Sequence, residues 1–122
     1  MSTGPISNFT IPDNTTVLVK QCTIPEDSSR GKSCLISIKT EGNFAVISNK
    51  GTCQFIFGIN DPSGRTKIGC EACQGAYPFI VSTTVTLCKQ SDILYIRAFQ
   101  NANVGTITVH DCYYTVILLQ SW

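Results

Sequence analysis

The stretch "DILYIRAFQNANVGTITVHDCYYTVILLQ", residues 92–120, decides the fold. Side chains alternate between the two faces of a β-strand, and both faces are apolar in 92–99 and again in 113–120. One face can pack into a sandwich core. The other needs a partner, most simply another subunit, because the sequence offers no helix to cover it. The alternative is that a loop of the same chain lies over it. The stretch predicts a β sandwich that oligomerises, and its predicted subunit interface comprises Tyr95, Phe99, Tyr113, Ile117 and Leu119.

The same strand pattern runs through the rest of the chain. Segments such as "TTVLVKQCTI", "CLISIKT", "NFAVIS", "CQFIFGI" and "FIVSTTVTLC" are rich in β-branched and aromatic residues, and turn formers such as "EGN" and "NDPSG" separate them. About eight strands in a single domain predict an all-β, antiparallel jelly-roll sandwich, which we place at residues 17–122.

The first sixteen residues differ from this domain in composition. "MSTGPISNFTIPDNTT", residues 1–16, combines two prolines and a glycine with polar residues that bury little surface. It predicts an extended N-terminal arm. An arm without a core of its own gains contacts on a neighbouring subunit, and the residues predicted to dock there are Ile6, Phe9, Ile11 and Pro12.

Composition excludes several classes of function. A chain of 122 residues fits one domain, and its formal net charge of +1 comes from scattered Lys and Arg with no basic cluster among aromatics. Nucleic acid is therefore not an expected partner. No apolar run approaches the roughly 20 residues that cross a bilayer, so membrane insertion is not expected. The N-terminus lacks the pattern of a signal peptide, and we expect an extracellular or particle-surface location reached without a visible one.

Seven cysteines suggest an oxidising destination, and their odd number points to pairing between chains or to a reactive thiol, of which we favour pairing. The alternative is that several are buried and act as small hydrophobic residues. The candidates for disulfides or cross-links are Cys22, Cys34, Cys53, Cys70, Cys73, Cys88 and Cys112.

The pair in "CEAC", residues 70–73, has three interpretations. Structural zinc needs four ligands, and no second pair with matching spacing is present. A redox pair needs a helix N-terminus in a βαβ unit, which the sequence does not contain. The favoured interpretation is a clasp to a neighbouring chain, formed by two cysteines in a Gly-rich loop.

Catalytic signals are weak. His110 and Cys112 lie two apart on an apparent strand and should share a face, but their Cβ atoms would be about 6.5–7 Å apart, too far for direct activation of the thiol. His110 is better explained as a residue beside Asp111 near a turn. We expect no enzymatic activity, no cofactor and no resident metal.

The last third of the chain, "SDILYIRAFQNANVGTITVHDCYYTVILLQ", resembles the closing strands of the tumour-necrosis-factor and complement-globular-head superfamily. An aromatic strand, an Asn/Gly-rich turn, a short strand and a terminal aliphatic strand carry the resemblance, which implies a trimer of jelly rolls. "VHDCYY" is also similar, at His110 and Asp111, to bacterial fucose-binding lectins of this type. "TGPISNFTIPDN" is similar to the leader of collagen-like glycoproteins and appendage subunits of the Bacillus exosporium.

Two functions follow from these expectations. The first is a structural subunit of a spore or virion surface fibre, with homotrimers joined by the N-terminal arm and by intermolecular disulfides. The alternative is a trimeric head that binds a receptor or a glycan. Its candidate ligand-contacting residues are Tyr77, Arg97 and Tyr114, because sugar rings stack on aromatic side chains.

Overall fold

A computed structural model describes residues 2–23, 32–42, 51–64, 69–73, 79–88 and 92–118. These residues form nine β-strands and no helix. The strands are β1 (Ser2–Ile6), β2 (Phe9–Ile11), β3 (Thr16–Thr23), β4 (Lys32–Gly42), β5 (Cys53–Ile59), β6 (Gly69–Cys73), β7 (Phe79–Cys88), β8 (Ile93–Gln100) and β9 (Ile107–Leu118). In the described ranges no helix is long and apolar enough to cross a membrane. The predicted strand "NFAVIS" and the side chains of Ile117 and Leu119 lie outside the described part.

The strands form two antiparallel sheets. Sheet A has the order β1-β9-β4-β7, and β2 pairs with β9 beyond the end of β1. Sheet B has the order β3-β8-β5-β6. Most connections pass from one sheet to the other, so strands adjacent in a sheet are distant in sequence, which is the pattern of a jelly roll. The predicted antiparallel jelly-roll sandwich is confirmed.

The core lies between the facing sides of the two sheets. Phe55 and Phe57 of β5 are wholly buried, as is Ile96 of β8, and Ile38 and Val116 of sheet A lie in the same apolar cluster. Each such side chain contributes about 1.5–3 kcal/mol when it leaves water completely. The alternation of apolar residues that the sequence shows therefore produces the fold through burial of one face of each sheet.

Strand β9 is interrupted by a β-bulge. Val109 and Cys112 both face the core, although three positions separate them, because Asp111 adopts a positive φ of 49°. Pairing with β4 continues on both sides of the bulge, with Glu41 opposite His110 and Lys39 opposite Tyr113. The sequence analysis divides this region into a short strand and a terminal aliphatic strand. They are a single strand, because the bulge absorbs the extra residue without ending the pairing.

The predicted N-terminal arm is part of the sandwich. Strand β1 pairs with β9, where Ile6 lies opposite Cys112, and β2 pairs with β9 from Phe9 to Ile11. The exposed fractions of Ile6 and Ile11 are 4% and 0%, and Phe9 packs against the same core, while Pro12 is exposed in the turn that follows. Residues 2–6 and 9–11 of the predicted arm therefore pair within the chain's own sheet, and the docking of 1–16 on a neighbouring subunit stays a prediction.

The cysteine pair of "CEAC" lies in strand β6 and not in a loop. Strand β6 pairs with β5, with Cys73 opposite Cys53 and Cys70 opposite Ile56. The loop prediction is wrong because Gly, Glu and Ala have low β propensity, so this edge strand has no strand-like pattern of its own. It forms because β5 offers it an unpaired edge.

A loop of the same chain contacts the outer face of β8. The Nη2 atom of Arg97 donates hydrogen bonds to the carbonyl oxygens of Asp61 and Pro62, both at 3.0 Å. The guanidinium also lies over the ring of Tyr95, 5.3 Å from its centroid. Tyr95 is only 8% exposed, and Phe99 is half-buried. The chain itself therefore covers most of Tyr95, and the assignment of this tyrosine to a subunit interface stays a prediction.

Candidate functional site

The bulge in β9 brings three polar side chains together on the outer surface. His110 and Asp111 are 47% and 67% exposed, and the Nδ1 atom of His110 lies 2.7 Å from Oδ2 of Asp111. Glu41 lies opposite His110 in the register of β4 with β9. One donor atom from each of the three residues lies within 4.8 Å of the others. This arrangement is a mixed nitrogen and oxygen donor set, open to solvent.

The same bulge separates His110 from Cys112. His110 is exposed, whereas Cys112 is 1% exposed and lies in the core. The prediction that these two residues share a face is wrong, because the extra residue at Asp111 shifts the alternation by one position. The expectation that His110 is better explained by its neighbour Asp111 agrees with the short contact between them.

Backbone conformation explains why an aspartate stands at the bulge. A positive φ is rare outside glycine, and Asp and Asn are among the few residues that adopt it readily. The φ of Asp111 is 49°. A residue in this conformation re-aims its side chain, so two consecutive side chains leave the same surface of the sheet. Bulges of this kind are frequent beside functional sites.

A groove of about 410 Å³ lies beside the bulge. Its lining comes from the start of β2 and from the segment of β9 that pairs with it: Asn8, Phe9, Thr10, Thr108, Val109 and His110. Thr10 and Thr108 lie opposite one another, and both side chains are exposed. The groove's volume falls in the range of about 300–1,000 Å³ that is typical of small-molecule sites.

Gln100 joins the end of β2 to the turn before β9 from inside the protein. Its wholly buried side chain donates from Nε2 to the carbonyl oxygens of Ile11 and Gly105, at 3.3 and 3.0 Å, and to Oδ1 of Asp13 at 3.1 Å. Its Oε1 accepts a hydrogen bond from the amide of Ala102 at 2.9 Å. These bonds tie the end of β2 to the turn that leads into β9. The separation of the two lining segments of the groove is set by the direct pairing of β2 with β9.

The cysteine thiols of the described residues differ in how deeply they are buried. Cys53 is wholly buried and Cys112 nearly so, so neither can reach another chain without unfolding. For these two, small buried hydrophobic residues explain the cysteines better than cross-links. Cys22 is half-buried on the edge strand β3 and stays a cross-link candidate. The side chains of the remaining candidates, Cys34, Cys70, Cys73 and Cys88, lie outside the described part.

Burial also changes the chemistry of two free thiols. Burial raises the pKa of the Cys112 thiol, and a hydrogen bond with Thr40 offsets part of the rise. Burial likewise raises the pKa of Cys22, and the nearby charge of Lys20 opposes it. Neither thiol is activated as a nucleophile, because the thiolate is the reactive form.

The residues predicted to contact a ligand do not meet in one site. Tyr114 is 7% exposed and faces inward, with the ammonium of Lys20 5.3 Å from its ring centroid. The chain itself therefore covers most of Tyr114, and its assignment as a ligand contact stays a prediction. Arg97 is engaged by the loop over β8, and Tyr77 lies outside the described residues. Of the predicted interface residues, Tyr113 is exposed, at 53%.

Sequence reasoning missed the groove residues Asn8, Thr10 and Thr108, and it missed Glu41. Asn8 and Thr10 stood within the predicted arm, and Glu41 within the turn "EGN". Glu41 meets His110 only through the pairing of β4 with β9, which no local pattern encodes. The one signal of this site in the sequence was the adjacent pair His110 and Asp111, which interrupts the alternation of apolar residues.

Comparison with known proteins supports the fold. No known family model matches this sequence, and no curated protein matches it. Among solved structures, a CBM4 module matches with a TM-score of 0.54 and 12% identity over 95% of this chain and 89% of its own. A CBM36 carbohydrate-binding module, solved with calcium and xylotriose, matches with a TM-score of 0.53 and 15% identity over 96% and 93%. The capsid of native Kashmir bee virus matches with a TM-score of 0.48 and 12% identity over 99% and 74%.

The CBM4 and CBM36 likenesses define the class of fold, an antiparallel jelly-roll sandwich, to which the described strands also assign the chain. They do not test the resemblance to tumour necrosis factor, to fucose-binding lectins or to exosporium subunits. Those resemblances and the predicted trimer stay predictions.

Proposed function

We propose that this protein is a carbohydrate-binding jelly-roll module whose ligand occupies the groove lined by β2 and by the segment of β9 that pairs with it. The groove itself carries the proposal. It is an open site of about 410 Å³, and the pairing of β2 with β9 fixes the backbone of its lining. Concave sites with a few fixed polar groups are the usual form of small-molecule sites in proteins.

The lining suits a ligand with many hydroxyl groups. Asn8, Thr10, Thr108 and His110 offer amide, hydroxyl and imidazole groups that both donate and accept hydrogen bonds. Phe9 adds an apolar surface, of the kind on which the C–H face of a sugar ring packs. Lys and Arg are absent from the described lining, so it offers no fixed positive charge to a phosphorylated ligand.

Two further observations support this proposal. The CBM4 and CBM36 structures share the fold, and the CBM36 structure holds xylotriose. Within the described residues, the bulge turns the side chain of His110 outward and that of Cys112 inward. It therefore separates the imidazole and the thiol that the sequence analysis considered as a base and a nucleophile. We therefore propose a binding protein without catalytic activity, located outside the cell or at a particle surface.

A glycan array followed by calorimetric titration tests the function. The variant Thr10→Trp fills the groove from an exposed position, and we expect it to abolish binding of any glycan that the natural protein retains. Thr23→Trp is the matched control, because Thr23 is an equally exposed threonine on β3 of the other sheet. Asn8→Ala should weaken binding by about tenfold, the effect of losing one or two hydrogen bonds.

Two outcomes would overturn the proposal. One is that the folded protein binds nothing on an array that covers plant, bacterial and animal glycans. The other is that Thr10→Trp binds a retained glycan as tightly as the natural protein does.

A separate observation favours self-association as a second function. Tyr113 is 53% exposed on the outer face of β9, the face that the sequence analysis assigns to a subunit interface. We propose that Tyr113 contributes to contacts between copies, as in the predicted structural subunit of a surface fibre. Because β1 and β2 belong to the chain's own sheet, these contacts do not need exchange of an N-terminal arm.

Light scattering coupled to size-exclusion chromatography measures this association. Tyr113→Ser should shift an oligomer toward the mass of one chain. Leu18→Ser is the control, since Leu18 is 51% exposed but belongs to the other sheet. A single-chain mass for the natural protein, in reducing and non-reducing buffer alike, would exclude both the Tyr113 contact and the predicted intermolecular disulfides.

A further inference from the structure

The bulge in β9 holds the one group of three potential metal ligands found among the described side chains. Glu41, His110 and Asp111 each contribute a donor atom, and these atoms lie within 4.8 Å of one another. All three side chains are exposed, so an ion can reach them from solvent. We infer that this cluster binds a divalent first-row transition-metal ion.

The donor set points to that class of ion. An imidazole nitrogen with two carboxylate oxygens suits manganese, iron or zinc, whereas calcium and magnesium are bound by oxygen ligands. Ligands about 2.1 Å from a tetrahedral ion lie about 3.4 Å from one another. The donors of Glu41, His110 and Asp111 reach that spacing by side-chain rotation, because their backbones already lie side by side. A bound cation would also reduce the repulsion between the two carboxylates.

The backbone geometry of the β9 bulge brings the three side chains of this cluster together. In a regular strand, consecutive residues such as His110 and Asp111 point to opposite faces. The positive φ of Asp111 turns both to the outer surface, where they contact each other at 2.7 Å. Glu41 lies on the neighbouring strand β4, opposite His110, and so joins these two side chains. The third donor is therefore positioned by sheet register rather than by a mobile loop.

The ion would lie at one end of the groove, because His110 belongs to both features. Three protein ligands leave coordination positions open, and a hydroxyl group of a bound molecule can fill one of them. This link to a ligand rests on the proposed carbohydrate-binding function. Binding of the ion itself does not.

Nuclear magnetic resonance with Mn²⁺ and no glycan tests the inference on the full chain. Carboxylates and imidazole bind Mn²⁺ while thiolates favour softer metals, so the seven cysteines do not compete. Mn²⁺ is paramagnetic and broadens signals close to it. We expect saturable broadening centred on the amides of Glu41 and Asp111 and on the imidazole of His110, which is the chain's sole histidine.

Variants assign the ligands. Asp111→Asn removes one charged donor but keeps a residue that tolerates a positive φ. We expect this variant to weaken Mn²⁺ binding at least tenfold. Glu41→Gln and His110→Gln should have the same effect. Two control variants should bind Mn²⁺ at least as tightly as the natural protein. Asp92→Asn removes a carboxylate just before β8, and Lys39→Gln removes a positive charge near Glu41 on β4.

The inference fails if broadening does not saturate, if it centres elsewhere, or if Asp111→Asn binds Mn²⁺ unchanged. Each of these results leaves the carbohydrate proposal standing, because that proposal is measured by retention of glycans. Conversely, Mn²⁺ binding at the bulge with no glycan retained on the array would overturn the proposed function alone.

Discussion

The hydroxyl of Thr40, buried inside the sandwich, donates a hydrogen bond to the backbone carbonyl of His110, with the oxygens 3.3 Å apart. The carbonyl of Glu41 lies at the same distance from the hydroxyl and shares its proton. A regular antiparallel pair would satisfy such carbonyls through the ladder, but the bulge interrupts the ladder at this point. Thr40 therefore holds the β9 bulge from the core side, while the side chains of Glu41 and His110 occupy its solvent side.

Thr40→Val keeps the shape of the side chain and removes this hydrogen bond. We expect the free energy of unfolding to fall by about 1–3 kcal/mol, because buried carbonyl groups lose their partner. Urea denaturation measures the change. Thr23→Val, an exposed counterpart on β3, should stay within about 0.5 kcal/mol of the natural protein. Equal stability of the two variants would show that Thr40 does not support the bulge.

Gln100→Leu removes the buried amide that joins β2 to the turn before β9. The variant leaves the carbonyls of Ile11 and Gly105 and the amide of Ala102 without this partner in the interior. We expect a loss of about 2–4 kcal/mol in the free energy of unfolding, since more than one buried group is affected. Gln21→Leu on the exposed side of β3 is the control. Denaturation profiles that coincide for the two variants would contradict this role.

Arg97→Lys tests how the loop at 60–64 is held over β8. A lysine places one compact ammonium group where the guanidinium meets two carbonyls at 3.0 Å and the ring of Tyr95. We expect a loss of about 1 kcal/mol in stability and faster hydrogen exchange at the amide of Gly64, which donates to Asp61 within this loop at 3.2 Å. Exchange at the natural rate would mean that Arg97 does not hold the loop in place.

Alkaline pH should destabilise the protein through Cys112. Burial raises the pKa of this thiol in the folded state above its ordinary value of 9.0. Below pH 9 both states keep the proton. As pH rises further, the unfolded state releases it first, so the free energy of unfolding falls by at most about 1.4 kcal/mol per pH unit for one thiol.

Urea unfolding in reductant at pH 8 and pH 10 measures this slope. Cys112→Ser removes the titrating thiol, so it should lose less stability between the two pH values than the natural protein loses. The half-buried Cys22, whose pKa is raised in the same direction, is the comparison site for Cys22→Ser. A Cys112→Ser variant with the full alkaline loss would assign the effect to other groups.

The local pattern of apolar residues in the sequence was sufficient to predict the fold but not the candidate functional site. The alternation around Phe55 and Ile96 identifies strands because each strand buries one face, and this regularity is visible in sequence. Strands β1 and β6 were missed because Gly4, Pro5 and the "CEAC" residues have poor β propensity and form strands only beside a partner. The sequence could not assign a loop to the outer face of β8, because nothing local shows that Arg97 binds the loop at 60–64.

The site depends on two features that sequence reasoning could not supply. One is the positive φ of Asp111, which reverses the expected directions of the side chains that follow it. The other is the register that places Glu41 opposite His110. Both arise from sheet pairing between distant segments, so the adjacent His110 and Asp111 looked like a turn and not like part of a ligand set.

The position of β9 in sheet A has a consequence for biosynthesis. It is the last described strand to leave the ribosome, yet it pairs with β1, β2 and β4, which emerge long before it. Until it arrives, a nascent chain holds three strands whose edges facing β9 have no native partner, and such edges invite pairing with other chains. Sheet A therefore closes only after β9 has emerged, and a chaperone that shields unpaired strands before that point would raise the yield of this protein more than one that acts once β9 has paired.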